Sequence, residues 1–130
     1  MTAVPSHVVL LDSITQVDAS HAGLCVVTGS HGGISAARYA SAVAARVYAF
    51  NDAGVGKDAA GISALALLDV RGIAAVTVAH DSARIGEAHD TWDNGVISHS
   101  NAAAARLRVQ PGARLSEALA ALPVERRDDG

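Results

Sequence analysis

One histidine stands inside a glycine-rich segment, GSHGG (29–33), that directly follows an apolar run. Glycines at such a position let backbone N–H groups approach a ligand, and the amino terminus of a following helix favours an anion. A simple turn has no need of the imidazole of His31. We therefore predict an anion or oxyanion site formed by Ser30, Gly32 and Gly33, with a serine-capped tight turn as the alternative. The segment lacks the GxGxxG spacing of dinucleotide-binding loops, and the chain has no GxSxG nucleophile elbow.

A second polar segment, NDAGVGKD (51–58), follows the next apolar run. Asn51 replaces the first glycine of a phosphate-binding P-loop and Asp58 replaces its hydroxyl residue, so this segment is not a nucleotide loop. Lys57 beside Asp52 in a partly desolvated loop would be an acid–base pair, and we predict that Asn51 contacts the substrate. The alternative is a solvated turn in which Asp58 caps a helix.

A third polar segment, HDSAR (80–84), ends a further apolar run. The planar fork of an arginine donates two parallel hydrogen bonds to a carboxylate or phosphate. We therefore predict that Ser82 and Arg84 bind the substrate. The alternative is a surface ion pair of Arg84 with Asp81 or Glu87.

The six histidines do not indicate a metal site, because the chain contains neither HxxxH nor HExxH. We predict no metal and no cofactor. Whether His80, His99 and Asn101 join the site stays open at this point. Cys25 lies in the middle of an apolar strand and is expected to be an inert core residue.

The elements that must position these loops follow from the apolar pattern. Continuous apolar runs are typical of parallel strands covered on both faces, and here they alternate with helices. The sequence predicts a small α/β domain with a mostly parallel sheet and helices on both faces, and it allows an antiparallel strand at the N-terminus. Predicted strands span 8–11, 14–17, 24–28, 47–50 and 73–79; predicted helices span 34–46, 59–70, a stretch from Ser98 or Ser100 to 107, and 116–122, with a turn at 91–95.

In such sheets ligands bind outside the carboxyl ends of the strands, which is where all three polar loops are predicted to lie. The helix at 59–70 has no clear polar face, so we expect a homo-oligomer, either a dimer or a trimer, in which a symmetric neighbour covers it. We predict one domain over residues 1–124 and a frayed tail over 125–130.

Composition excludes several classes of function. The net charge is −3 with scattered basic residues, which argues against nucleic acid as a partner. Apolar runs are strand-sized, and the first residues lack the pattern of a signal peptide, so we expect no membrane association. A single cysteine fits a reducing cytoplasm.

The chain resembles a family of short, uncharacterised bacterial α/β proteins. The resemblance rests on GSHGG (29–33), NDAGVGKD (51–58), AGISALALLDVRGIAA (60–75), SARIG (82–86) and NGVIS (94–98), and it spans roughly residues 22 to 120. It implies no activity, no cofactor and no role for any residue.

Together the loops predict a metal-independent enzyme that acts on a small anionic metabolite by hydrolysis, elimination or isomerisation. In this interpretation the 29–33 loop and Arg84 hold the anionic group, and His31 moves protons with Asp52 or Lys57. The alternative is a non-catalytic anion-binding or accessory subunit that uses the same loops only to hold a ligand or partner.

Overall fold

The computed structural model describes residues 2–123. They form an α/β fold with a mostly parallel sheet and helices on both faces, as predicted. The five strands stand in sequence order across the sheet. Strands β1 to β4 run parallel to one another, and β5 joins β4 antiparallel. Their bounds are β1 Val8–Leu11, β2 Cys25–His31, β3 Val47–Asn51, β4 Ala74–Val78 and β5 Ile97–Ser100.

Five α-helices cover the two faces of this sheet. Helices α1 and α2 pack on the face that carries Val26, Tyr48 and Phe50. Helices α3, α4 and α5 cover the opposite face, where Trp92 and Val76 are buried. Their bounds are α1 Ile34–Ser41, α2 Ser63–Val70, α3 Ala88–Asn94, α4 Ala102–Arg106 and α5 Leu115–Ala120. No helix among residues 2–123 is long and apolar enough to cross a membrane.

The N-terminal strand exists, but the antiparallel orientation allowed for it is wrong, because β1 pairs parallel with β2. The antiparallel strand is β5 at the other edge. The strand predicted at 14–17 is also wrong: Ile14–Gln16 is a short 3₁₀ helix. The Ser13 side chain accepts from the Thr15 N–H, and the Gln16 side chain accepts from the Ser13 N–H, which favours a turn over an extended strand.

Helix boundaries differ from the prediction where the chain must turn. Helix α1 ends at Ser41, because residues 42–46 return the chain to the sheet and are held there by a 2.6 Å bond from the Tyr48 hydroxyl to the Val43 carbonyl. Residues 91–94 of the turn predicted at 91–95 belong to α3, which buries Trp92, and Gly95 is the residue that ends this helix. Neither Ser98 nor Ser100 caps a helix, since both lie in β5 and Asn101 caps α4 instead.

The helix predicted at 59–70 is split. A 3₁₀ segment, Lys57–Ile62, precedes α2. Asp58 does not cap the helix: its φ is +57°, and α2 has no side-chain cap. The predicted tail, 125–130, lies outside the described residues.

Candidate functional site

The three polar loops meet at the carboxyl edge of the parallel strands, as the alternating pattern predicts. The loop after β4 does not stay beside its own strand; it crosses the edge toward β1. On its way it passes close to β2, where the Gly86 N–H donates to the Gly29 carbonyl at 2.7 Å. It ends at α3, where the Ala88 N–H donates to the Asp12 carboxylate at 2.9 Å. A side chain on Gly29 would collide with this loop, because its Cβ would lie 2.5 Å from the Glu87 nitrogen.

A cleft of about 530 Å³ opens between the end of β2, the start of α1 and the segment after β3. Two of the three predicted catalytic residues, His31 and Lys57, line it, and both are exposed. Its lining is His31, Gly33, Ile34, Ser35, Ala53, Val55, Gly56, Lys57, Asp58, Ala60, Gly61 and Ser63. The cleft therefore combines an imidazole, an ammonium, the Asp58 carboxylate and two serine hydroxyls.

The amino terminus of α1 forms one wall of this cleft. Gly33 is the N-cap residue and supplies no side-chain hydrogen bond to the helix. The first N–H groups of a helix have no partner inside the helix, and they carry the positive end of its dipole. Ile34 and Ser35 line the cleft at this end, so these N–H groups are available to an anion bound there.

The opposite wall, residues 53–61, is backbone in an unusual conformation. Four of its residues have φ between +51° and +67°, a region that residues other than glycine rarely adopt: Ala53, Val55, Asp58 and Ala59. Each such residue costs on the order of 1–3 kcal/mol, and such strain persists where the surroundings hold it and concentrates at functional sites. Here the Gly61 N–H bonds to the Val55 carbonyl at 2.8 Å and closes the segment.

Asp52, the third predicted catalytic residue, does not line the cleft. It is buried, and one carboxylate oxygen accepts from the N–H groups of Gly54 at 2.8 Å and His80 at 3.0 Å. Burial favours the neutral acid, but these two bonds and one from the Ser98 hydroxyl outweigh that effect. The pKa of Asp52 is therefore lowered, and the carboxylate holds the strained segment rather than contacting a ligand in the cleft.

Four predicted substrate-binding residues do not face the cleft, because each is engaged in local structure. The Ser30 hydroxyl accepts from the Ile14 N–H at 3.0 Å. Buried Asn51 donates to the Ala83 carbonyl at 2.9 Å and accepts from the Ala53 N–H at 2.8 Å.

The other two members of this group, Ser82 and Arg84, lie in the loop after β4. The Ser82 hydroxyl donates to the Ala79 carbonyl at 2.7 Å. The Arg84 side chain is 80% exposed, and its guanidinium lies 3.9 Å from the Glu87 carboxylate. Arg84 is thus a surface ion pair, which is the alternative that the sequence left open.

The two glycines of the 29–33 loop have different roles. Gly33 lines the cleft and leaves room for the His31 ring, which would be 3.5 Å from a Cβ built at Gly33. Gly32 is buried, and its own Cβ would lie 2.7 Å from the Gly61 carbonyl oxygen. Gly32 therefore allows the close approach of the two cleft walls, and it is not among the residues that line the cleft.

The residues left open by the sequence divide into two kinds. Asn101 is structural: it is buried and bonds to four backbone groups. His80 lies beside the Asp52 carboxylate, with Nδ1 3.5 Å from the nearer oxygen. His99 contacts the hydroxyls of Thr77 and Ser98, two residues that sequence reasoning missed. A threonine inside the apolar run of β4 was the available signal for them.

Among residues 2–123, no group of three or more histidine, cysteine, aspartate or glutamate side chains is placed to hold a metal ion. Comparison of the chain with protein-family models, with curated proteins and with solved structures finds no match. The fold and the cleft are therefore the observations from which a function can be inferred.

Proposed function

We propose that this chain is a metal-independent enzyme that acts on a small anionic metabolite by hydrolysis, elimination or isomerisation. The observation that supports this proposal is the cleft in which His31, Lys57 and the uncapped amino terminus of α1 come together. The backbone N–H groups of the first turn of α1 and the Lys57 ammonium hold the anionic group. His31 donates or accepts the proton.

The arrangement suits proton transfer for a physical reason. An imidazole changes charge near neutral pH, so it serves as acid or base at little cost. An anion held by the helix terminus would fix the substrate relative to the imidazole ring. Holding the two reacting groups in the right geometry lowers the barrier to the reaction. Arg84 takes no part, in contrast to the interpretation of the sequence alone, because it pairs with Glu87 on the surface.

The experiment that tests the proposal compares His31→Asn with the wild type on a panel of small carboxylates and phosphates. An enzyme keeps its affinity for the bound anion and loses turnover. A non-catalytic anion-binding or accessory subunit, the alternative function, shows no turnover in either protein. Lys57→Met should weaken binding in both cases, by about 1.5–3 kcal/mol or roughly ten- to more than a hundred-fold, because a hydrogen bond to a charged group is lost.

We also propose that the chain forms a dimer or trimer through α1 and α2. Four large hydrophobic side chains on these helices are exposed: Ile34 at 57%, Tyr39 at 45%, Leu67 at 46% and Val70 at 88%. Leu67→Glu should convert the assembly to a monomer in sedimentation experiments at micromolar concentration. Leu107→Glu, at an exposed position after α4, is the matched control and should not. A wild-type monomer contradicts this part of the proposal.

We propose a cytoplasmic setting and no nucleic-acid or membrane partner. A lone buried cysteine and a mildly acidic net charge support this part of the proposal.

A further inference from the structure

The cleft contains a carboxylate, that of Asp58, which has no part in holding an anion. Lys57 and Asp58 are neighbours in the chain, both line the cleft and both are exposed. Within residues 2–123, neither side chain forms an ion pair or a hydrogen bond. An ammonium and a carboxylate therefore line the same cavity without neutralising each other.

The fold explains a short polar side chain at position 58 but not its negative charge. The φ of Asp58 is +57°, and aspartate and asparagine are both enriched among residues with such a φ. Asp58 does not cap α2, and its carboxylate accepts no hydrogen bond from the backbone of the described residues. Asparagine would therefore serve the backbone here equally well.

The negative charge of Asp58 affects any ligand bound beside Lys57. Adjacent Cα atoms are about 3.8 Å apart, so a charge that reaches Lys57 also lies within the field of Asp58. A simple anion is attracted by the ammonium and repelled by the carboxylate. A ligand that carries its own ammonium as well as an anionic group gains a favourable interaction with both residues.

We infer that the substrate of this cleft is a small zwitterion, whose carboxylate or phosphate is held by Lys57 and whose ammonium donates to Asp58. The inference rests on the proposed function, because it names the class of metabolite that binds in the same cleft. The cleft volume of about 530 Å³ lies within the range of small-molecule sites, about 300–1,000 Å³. Asp58 is then a residue that determines specificity.

The test uses pairs of ligands that differ by an amino group: propionate with β-alanine, and ethyl phosphate with phosphoethanolamine. Amide chemical shifts of residues 33–36 and 53–61 are followed in titrations at about pH 7, where the amino groups are protonated. In at least one pair the amino compound should bind the wild type about two- to fivefold more tightly, the range for an exposed ion pair. The pair that binds more tightly identifies the anionic group.

Asp58→Asn should change the two affinities of a pair in opposite directions. The variant should bind propionate or ethyl phosphate more tightly than the wild type does, and the amino compound less tightly. Damage to the fold would instead weaken both. Asp58→Gly, which suits the positive φ, should give the same reversal. Asp81→Asn, the matched change at an exposed position that does not line the cleft, should alter neither affinity.

The outcomes distinguish this inference from the proposed function. If simple anions bind and the amino compounds bind no more tightly, the zwitterion inference is wrong and the anion site stands. A preference for the amino compound that persists in Asp58→Asn, shown to be folded by circular dichroism, also overturns the inference. If none of the four ligands gives saturable shifts in residues 33–36 and 53–61, the proposed function and this inference are both wrong.

Discussion

The Asn101 side chain joins three elements of the fold, and its removal should destabilise the protein strongly. Its amide oxygen accepts from the N–H groups of Ala75 in β4 and Ala104 in α4, at 3.1 and 2.9 Å. Its amide nitrogen donates to the carbonyls of Leu65 in α2 and Ile73 before β4, at 3.1 and 2.9 Å. Asn101 is 7% exposed, so water does not readily replace these bonds.

The expected loss in the free energy of unfolding follows from the backbone groups that Asn101→Ala leaves without partners. Each buried N–H that loses its acceptor costs about 1–3 kcal/mol, and the two carbonyls cost less because each keeps a second lone pair. We expect a loss of about 3–5 kcal/mol in the free energy of unfolding, a large part of the total of about 5–15 kcal/mol for a domain. With a urea m-value of about 2 kcal/mol/M, the unfolding midpoint should fall by roughly 2 M.

Urea unfolding followed by circular dichroism measures this loss. Asn94→Ala is the matched control, because Asn94 is exposed and makes one side-chain bond, to Asp90 at 2.7 Å. That variant should lose no more than about 0.5 kcal/mol. A loss below about 1 kcal/mol for Asn101→Ala would refute the assignment of Asn101 as the structural link between α2, α4 and the sheet.

Three further predictions concern the cleft wall, the surface and pH. Gly61→Ala should destabilise the protein and disorder the cleft, because its Cβ would lie 1.8 Å from the Asp52 carbonyl oxygen. Gly33→Ala should be tolerated, because its Cβ would have no contact under 3.5 Å. Urea unfolding of both variants tests this difference. Arg84→Lys should change the unfolding free energy by less than about 0.5 kcal/mol and leave anion affinity unchanged in calorimetric titration, because the ion pair with Glu87 is exposed. Burial raises the pKa of Tyr48 to about 12, so the folded state keeps a proton that the unfolded chain releases near pH 10. Stability should therefore decline between about pH 10 and 12 in wild type and less so in Tyr48→Phe, as measured by thermal unfolding, and equal declines would contradict this.

The core of the sheet was predictable, and the orientation of individual side chains was not. Continuous apolar runs predict β2, β3 and β4 because a strand buried on both faces needs no alternation. Ile14 and Val17 have a spacing that fits either a strand or a capped turn, and the Ser13 cap decides for the turn. The sequence predicts a turn where helix α3 lies, because the residues of this helix include Asp90, Asp93 and Asn94, which are typical of turns.

For the candidate site, too, the sequence predicts which loops meet but not which of their side chains face the cleft. Parallel strands bring their following loops to one edge, so His31 and Lys57 could be predicted to lie near each other. Sequence does not indicate which side chains a loop uses for its own backbone, and Asp52 and Asn51 are used in this way. Thr77 stands out within the apolar run of β4, but the irregular pairing of β4 with β5, and with it the contact of Ser98 with Thr77, cannot be predicted from the residues.

The central proposal is that an anion binds between the amino terminus of α1 and Lys57, and amide chemical-shift mapping tests it most directly. ¹⁵N-labelled protein is titrated with small carboxylates and phosphates, in wild type, Lys57→Met and Arg84→Lys. At least one anion should shift the amides of residues 33–36 and 53–61 in a saturable way, with affinity reduced in Lys57→Met and unchanged in Arg84→Lys. Saturable shifts confined to residues 80–87, or no saturable shift with any anion, would contradict the proposal.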